Sequence, residues 1–193
     1  GAASIAALPR GAVIGTASLR RQAILLHKRP DLRIVSLRGN VQTRLRKLRE
    51  GEAQATLLAM AGLRRLGLQH EATGVLDVTD MLPAVAQGAI GIECRANDTA
   101  TLARLAPLNH EETSTRVAAE RALLAALDGS CRTPIAALAT LHGDRLHLDA
   151  LIVTPDGKRA EATARDGAAS DAVRLGADAG AELKRRGGPT FFT

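Results

Sequence analysis

Two kinds of residue in this sequence stand where chemistry can use them: a cysteine on a turn, and arginines at the starts of helices. Cys131 lies in "ALDGSCRTPIAAL", where a long Ala/Leu-rich run stops at Asp128-Gly129 and an apolar stretch begins after Pro134. A thiol placed there is either a small packed hydrophobe or a nucleophile, and nearby cations favour the reactive thiolate. On the residues alone both readings stand. Cys94, in the apolar "AIGIEC", reads as a buried side chain. These are the only two cysteines, and the five histidines are scattered, so neither a disulfide framework nor a metal site is expected. No Ser/His/Asp arrangement, phosphate-binding loop or dinucleotide fingerprint is present.

The arginines break a local rule. Arg20 and Arg21 fall in the first turn of a predicted helix, where the backbone is already positive and each costs about 0.3–1 kcal/mol. Arg38 sits between a strand and a helix in "SLRGN", and Arg64-Arg65 fall in the first turn or so of "AGLRRLG". In a parallel sheet these junctions share the carboxyl ends of the strands, where such folds bind ligands. Arg44 flanks the apolar face of its helix, whereas Arg46, Lys47 and Arg49 read as solvated. Thr16 and Ser18 add hydroxyl and backbone donors at a helix start. Guanidinium forks grip carboxylates two bonds at a time, so convergent arginines without a phosphate loop point to a polycarboxylate ligand.

The elements that must position these residues follow from periodicity. Residues 12–79 alternate strands ("AVIGT", "RIVSL", "ATLLAM", "VLDVT") with helices, which predicts an α/β domain with a mainly parallel sheet. Leu19, Ala23 and Leu26 mark one helix face; Val41, Leu45 and Leu48 mark the next, with Asn40 as cap and Gly51 as stop. An apolar strand is expected over 89–94, then two helices. The second has Asn109 as cap and Glu112 three residues on, with Val117, Leu124 and Leu127 inward. After Cys131 the period becomes two. Three strands separated by "HGD" and "PDG", then a helix near 170–186, predict a small α+β domain with an antiparallel sheet. His142 and His147 read as surface residues.

Composition narrows the function class. Of the 193 residues 46% are apolar, yet Trp and Tyr are absent and Phe occurs twice. Lys and Arg outnumber Asp and Glu by 26 to 20, which favours an anionic partner. The missing aromatics argue against single-strand nucleic-acid binding, and no membrane-spanning run is visible. Cysteine usage predicts a reducing, cytoplasmic setting. The start at Gly1-Ala2-Ala3 reads as a tag scar, a processed end or a fragment.

The stretches "GTASLRRQ" (15–22), "PDLRIVSLRGNVQTRLRKL" (30–48), "LAMAGLRRLGL" (58–68), "LPAVAQGAIGIECR" (82–95) and "NHEETSTRVAAERALLAALDGSCRTPIAA" (109–137) resemble, in order, the porphobilinogen deaminase (hydroxymethylbilane synthase) family. The resemblance implies a transferase of tetrapyrrole biosynthesis. It would condense four porphobilinogen units head to tail, with loss of ammonia, to hydroxymethylbilane. It further implies a dipyrromethane cofactor held by a thioether at Cys131, matched to the cysteine of the family's "GSC" loop. Cofactor and substrate carboxylates would lie against Thr16, Ser18, Arg20, Arg21, Arg38, Gly39 and Arg44, with Arg65 as a further substrate contact. The family's domains are two periplasmic-binding-protein-like α/β lobes and a third, α+β unit. Residues 4–83 would be the second domain, 84–107 the return segment of the first, and 108–193 the third. Most of the first domain, with its catalytic aspartate, has no counterpart in these motifs. No catalytic residue is therefore expected in this chain, turnover by the chain alone is not expected, and strand 89–94 would lack its sheet or pair with another molecule's edge. Ala17 stands where a second serine is usual. The family resemblance implies a monomer. A non-catalytic module binding anionic pyrroles or other polycarboxylates is the alternative; a basic nucleic-acid-binding protein ranks below it.

Overall fold

The computed structural model describes residues 2–130 and 132–192. Three short parallel strands form the first sheet: β1 (Val13–Gly15), β2 (Arg33–Val35) and β3 (Ala55–Thr56), in the order β2-β1-β3. Helix α1 (Leu19–Lys28) follows β1, α2 (Val41–Arg49) follows β2, and α3 (Met60–Arg65) follows β3. Ser18 caps α1 by accepting from the Arg21 N–H, and Asn40 caps α2 by accepting from the Thr43 N–H at 2.8 Å. Gly51 ends α2 at φ +81°, a backbone region that favours glycine.

Two expected strands are absent. Residues 75–77 are irregular and 78–80 turn, with the Asp77 carboxylate accepting from the Thr79 N–H and hydroxyl at 2.9 and 2.7 Å. A side chain that satisfies the local backbone competes with a sheet ladder, and here it wins. Residues 89–94 are also irregular, because a strand needs a neighbouring edge and none of the described residues supplies one. Ile90 and Ile92 are left 85% and 57% exposed, and Cys94 is half-buried, not enclosed as its apolar neighbours suggest.

The second sheet is antiparallel: β4 (Ile135–His142), β5 (Arg145–Val153) and β6 (Ala160–Ala168), in chain order. Before it come α4 (Thr99–Leu105) and α5 (Glu111–Ala126), and α6 (Ala172–Gly187) follows it. His110, not Asn109, caps α5, accepting from the Thr113 N–H, so the helix begins one residue late. Its inward face is Ala119, Leu123 and Leu127, with Val117 and Leu124 only partly covered. These side chains meet Leu175, Ala179 and Leu183 of α6 and the alternating Leu146, Leu148, Ala150 and Ile152 of β5. Small residues let the two helices close: a Cβ at Gly180 would stand 2.7 Å from the Leu123 carbonyl oxygen.

Helix α1 is wedged between the two sheets. Leu25 packs with Ile14 under the parallel sheet. Ala23 and Ile24 pack against Ala136 and Val153 on the other face of the antiparallel sheet. This two-sided burial is why Leu19 is exposed and Ile24 and Leu25 are enclosed, unlike the single apolar face read from spacing. The β5–β6 turn also seats on α1: the His27 ring Nδ1 lies 2.9 Å from the Gly157 carbonyl oxygen. A Cβ at Gly157 would come within 2.6 Å of the His27 backbone nitrogen.

On the outer surface Glu182 collects Arg165, Thr163 and Arg186 at 2.5–3.1 Å. Its carboxyl is held down at about 2, chiefly by the Arg165 hydrogen bond, then by Thr163 and Arg186. A depressed carboxyl contributes stability above its unfolded value, near 4.5, and loses it as pH falls through about 2. Glu182→Gln is therefore expected to lower the thermal midpoint most above about pH 4.5, pH 7 included, and to converge on the wild type as pH falls toward 2, so that its own fall across that range is flatter. Melting curves across that range check it.

Candidate functional site

The site is built at the carboxyl end of β1. Thr16 closes the strand: its N–H donates to the Val35 carbonyl at 2.9 Å, and its Oγ1 accepts from the Ser18 N–H at 3.1 Å. With 5% exposure it is part of the floor and not an open donor. Arg20 is 7% exposed. Its Nη1 donates to the Leu82 carbonyl and its Nη2 to Gln87 Oε1, the latter at 3.1 Å. Arg21 donates through Nη1 to the Leu57 carbonyl at 2.8 Å. Burial, and secondarily the Arg21 charge, lowers the Arg20 guanidinium to about 10. Burial and then the Arg44 charge lower Arg21. Neither has an ion-pair partner among the described residues, although buried charges are normally paired.

Other expected residues are placed differently. Arg44 joins the group electrostatically, with its Nε on the Gly39 carbonyl at 2.9 Å. Gly39 serves the backbone: φ is +122°, and a Cβ there would stand 2.6 Å from Thr43 Cγ2. Arg38 is exposed and lacks a hydrogen bond or ion pair to a described residue. Arg65 is the last residue of α3, where a cation suits the negative helix end. The expectation of a first-turn arginine there fails because β3 stops at Thr56, whose Oγ1 donates to the Gly15 carbonyl, and the helix starts early, at Met60.

Arg20 and Arg21 border two cavities. One, of about 630 Å³, runs under the first sheet and is walled mostly by apolar side chains such as Ile14, Leu25, Leu57 and Met60. The other, of about 410 Å³, is lined by Ser18, Arg20, Arg21 and Gln87 together with Ser130, Thr133 and Ile135. Cys131 lies outside the described residues. Its neighbours form a tight turn: Thr133 Oγ1 donates to the Ser130 carbonyl at 2.6 Å and accepts from the Ser130 N–H at 2.8 Å. Gln87, Ser130 and Thr133 were missed as site residues. The available signal was an amide side chain just before Gly88 within an otherwise apolar run.

Comparison with known proteins addresses what such a cavity serves. The model "Porphobilinogen deaminase, dipyromethane cofactor binding domain" matches residues 1–103, and "Porphobilinogen deaminase, C-terminal domain" matches 114–185. The chain belongs to the porphobilinogen deaminase family. Its relatives include the porphobilinogen deaminase of Nitrobacter hamburgensis, 55% identical over 192 residues, with all of this chain and 61% of the relative covered. That of Paracoccus denitrificans is 54% identical over 190 residues, covering 98% of this chain and 61% of the relative. The chloroplastic enzyme of Oryza sativa is 54% identical over 194 residues, covering 99% and 54%. The chain thus spans about three fifths of the length of the bacterial relatives it matches. Arg20, Arg21 and Gln87 all fall within the region matched by the cofactor-binding model, and Ser130 and Thr133 within the C-terminal one.

Proposed function

We propose that this chain holds the anionic pyrroles of a porphobilinogen deaminase. In the complete enzyme it would serve tetrapyrrole biosynthesis, the head-to-tail condensation of four porphobilinogen units to hydroxymethylbilane with release of ammonia. The observation that carries this reading is the pair of guanidinium groups, buried Arg20 and half-buried Arg21, without an acidic partner among the described residues, on a cavity shared with Ser130 and Thr133. Each guanidinium has five N–H donors, and main-chain carbonyls and Gln87 use only some of them. The remainder suit acetate and propionate groups, and the carboxylates would return the charge balance that burial lacks.

The donor set fits a dipyrromethane cofactor joined to Cys131 by a thioether, which supplies a fixed primer for chain growth. Ser18, Arg20, Arg21 and Arg44 would hold its carboxylates, and the mobile reach of exposed Arg38 and Arg65 would serve the lengthening product. Thr16 and Gly39 support the backbone beneath. The parallel sheet is taken as one lobe of a periplasmic-binding-protein-like pair, with its ligand at the strand carboxyl ends. A cytoplasmic setting follows from the cysteine usage.

Titration calorimetry with porphobilinogen tests this. Arg21→Ala is expected to weaken binding about tenfold, since a charge-assisted hydrogen bond is worth about 1.5–3 kcal/mol. Absence of porphobilinogen binding, or equal affinity in the folded variant, overturns the reading. Polycarboxylates without a pyrrole that bind equally well would favour the general binding module instead.

A further inference from the structure

We infer that Glu120 is a positioning residue for Arg20, acting through the turn at 82–87. Glu120 lies on α5 and is 6% exposed. Its Oε2 accepts from the Ala86 N–H at 2.6 Å, and its Oε1 accepts from the Ala139 N–H of β4 at 2.9 Å. One carboxylate therefore joins a helix, a strand and a turn. The turn is the same one that receives Arg20, through the Leu82 carbonyl and the Gln87 side chain. It is fastened a second time by the Ala137 N–H on the Pro83 carbonyl at 3.0 Å.

Ala86 shows why the carboxylate is needed. Its φ is +57°, a region that residues with a Cβ rarely occupy and that persists only where surrounding bonds impose it. The bond from the Ala86 N–H to Glu120 imposes it, and the next residue, Gln87, then presents Oε1 to Arg20. Gln87 Oε1 also accepts from the Ala84 N–H at 3.2 Å, which locks the amide orientation. Glu120 is an unusual residue to enclose for packing alone. Burial pushes its carboxyl up, against the pull of the two N–H bonds and of Arg116.

The inference rests on the reading of Arg20 as a carboxylate-binding residue, but its first readout does not. In a spectrum of arginine side-chain N–H signals, Glu120→Gln is expected to shift the Arg20 Nε–H and the Ala86 amide. The Arg29 Nε–H, bonded to Asp31 at 2.7 Å, should stay in place. The variant keeps the shape, but its NH₂ turns a donor toward a main-chain N–H. Porphobilinogen affinity is expected to fall about fivefold. Gln87→Ala should cause the same loss, and the double variant no more than either. Glu120→Asp, which keeps the charge, should restore most of the affinity, and Glu120→Ala serves in place of Glu120→Gln if that variant does not fold. An unmoved Arg20 signal in a folded Glu120 variant whose Ala86 amide has shifted, or additive losses, overturns the inference. Absence of porphobilinogen binding by the wild type overturns the functional reading and leaves the spectral test to decide this one.

Discussion

With the missing first domain restored, the Cys131→Ser protein is expected to stay at its encoded mass after incubation with porphobilinogen, while the protein that keeps Cys131 gains two pyrrole units at that residue, each with release of one ammonia. A thioether forms when a thiolate attacks an electrophilic carbon, and a cysteine thiol ionises near pH 8.5, far more readily than a serine hydroxyl. Buried Arg20 and half-buried Arg21 line one cavity together with Ser130 and Thr133, so an anion in that cavity meets two guanidinium groups. The cavity volume of about 410 Å³ is within the range that holds a small ligand. Cys94 is the internal control, since it sits in the irregular 89–94 segment and is not among the residues that line this cavity. Intact-mass measurement and peptide mapping read the result. Equal gain in Cys131→Ser, or a wild-type gain at Cys94, would defeat the assignment of the anchor.

The largest loss of stability is expected from Gly176→Ala. In an open helix that change gains up to about 1 kcal/mol. Here the added Cβ would collide with the Ala119 carbonyl oxygen, and would stand 2.8 Å from the Ala119 carbonyl carbon and 3.0 Å from Ala122 Cβ. Backbone atoms of a packed helix cannot step aside as a side-chain tip can, so α5 and α6 must part. Overpacking of this kind costs about 1–3 kcal/mol, which, set against that helix gain, leaves a net loss of roughly 1–2 kcal/mol. Urea denaturation should show a lower midpoint at unchanged slope. Val173→Ala, at a 60% exposed position of the same helix, should move it by no more than about 0.5 kcal/mol. An unchanged midpoint for Gly176→Ala would mean that the helices are not in contact there.

What the sequence made legible was local. Ser18 and Asn40 announce their helices because a side-chain oxygen answers an orphan N–H within three residues. The antiparallel hairpins were readable because "HGD" and "PDG" interrupt a strict alternation. The parallel direction of the first sheet was readable from alternating strands and helices, though not its strand order. What required three dimensions was long-range. No spacing rule says that α1 is covered on two sides, or that the Asp77 carboxylate holds a turn where a strand is expected. The site divides the same way. Arg20 and Arg21 stood out as cations at a positive helix end. Glu120 did not, because a glutamate within an Ala-rich helix looks solvated until Ala86 and Ala139 arrive from 34 residues before and 19 after.

The contact between α1 and Gly157 bears on the order in which the molecule is made. His27 and Gly157 are 130 positions apart, and a chain grows from its amino end. At about 5–20 residues per second, the helix bearing Arg20 and Arg21 emerges roughly 10 s before the turn that braces it. The nascent α1 therefore spends that interval without the turn that braces its carboxyl end, although Leu57, Leu82 and Gln87, the partners of Arg21 and Arg20, have by then emerged.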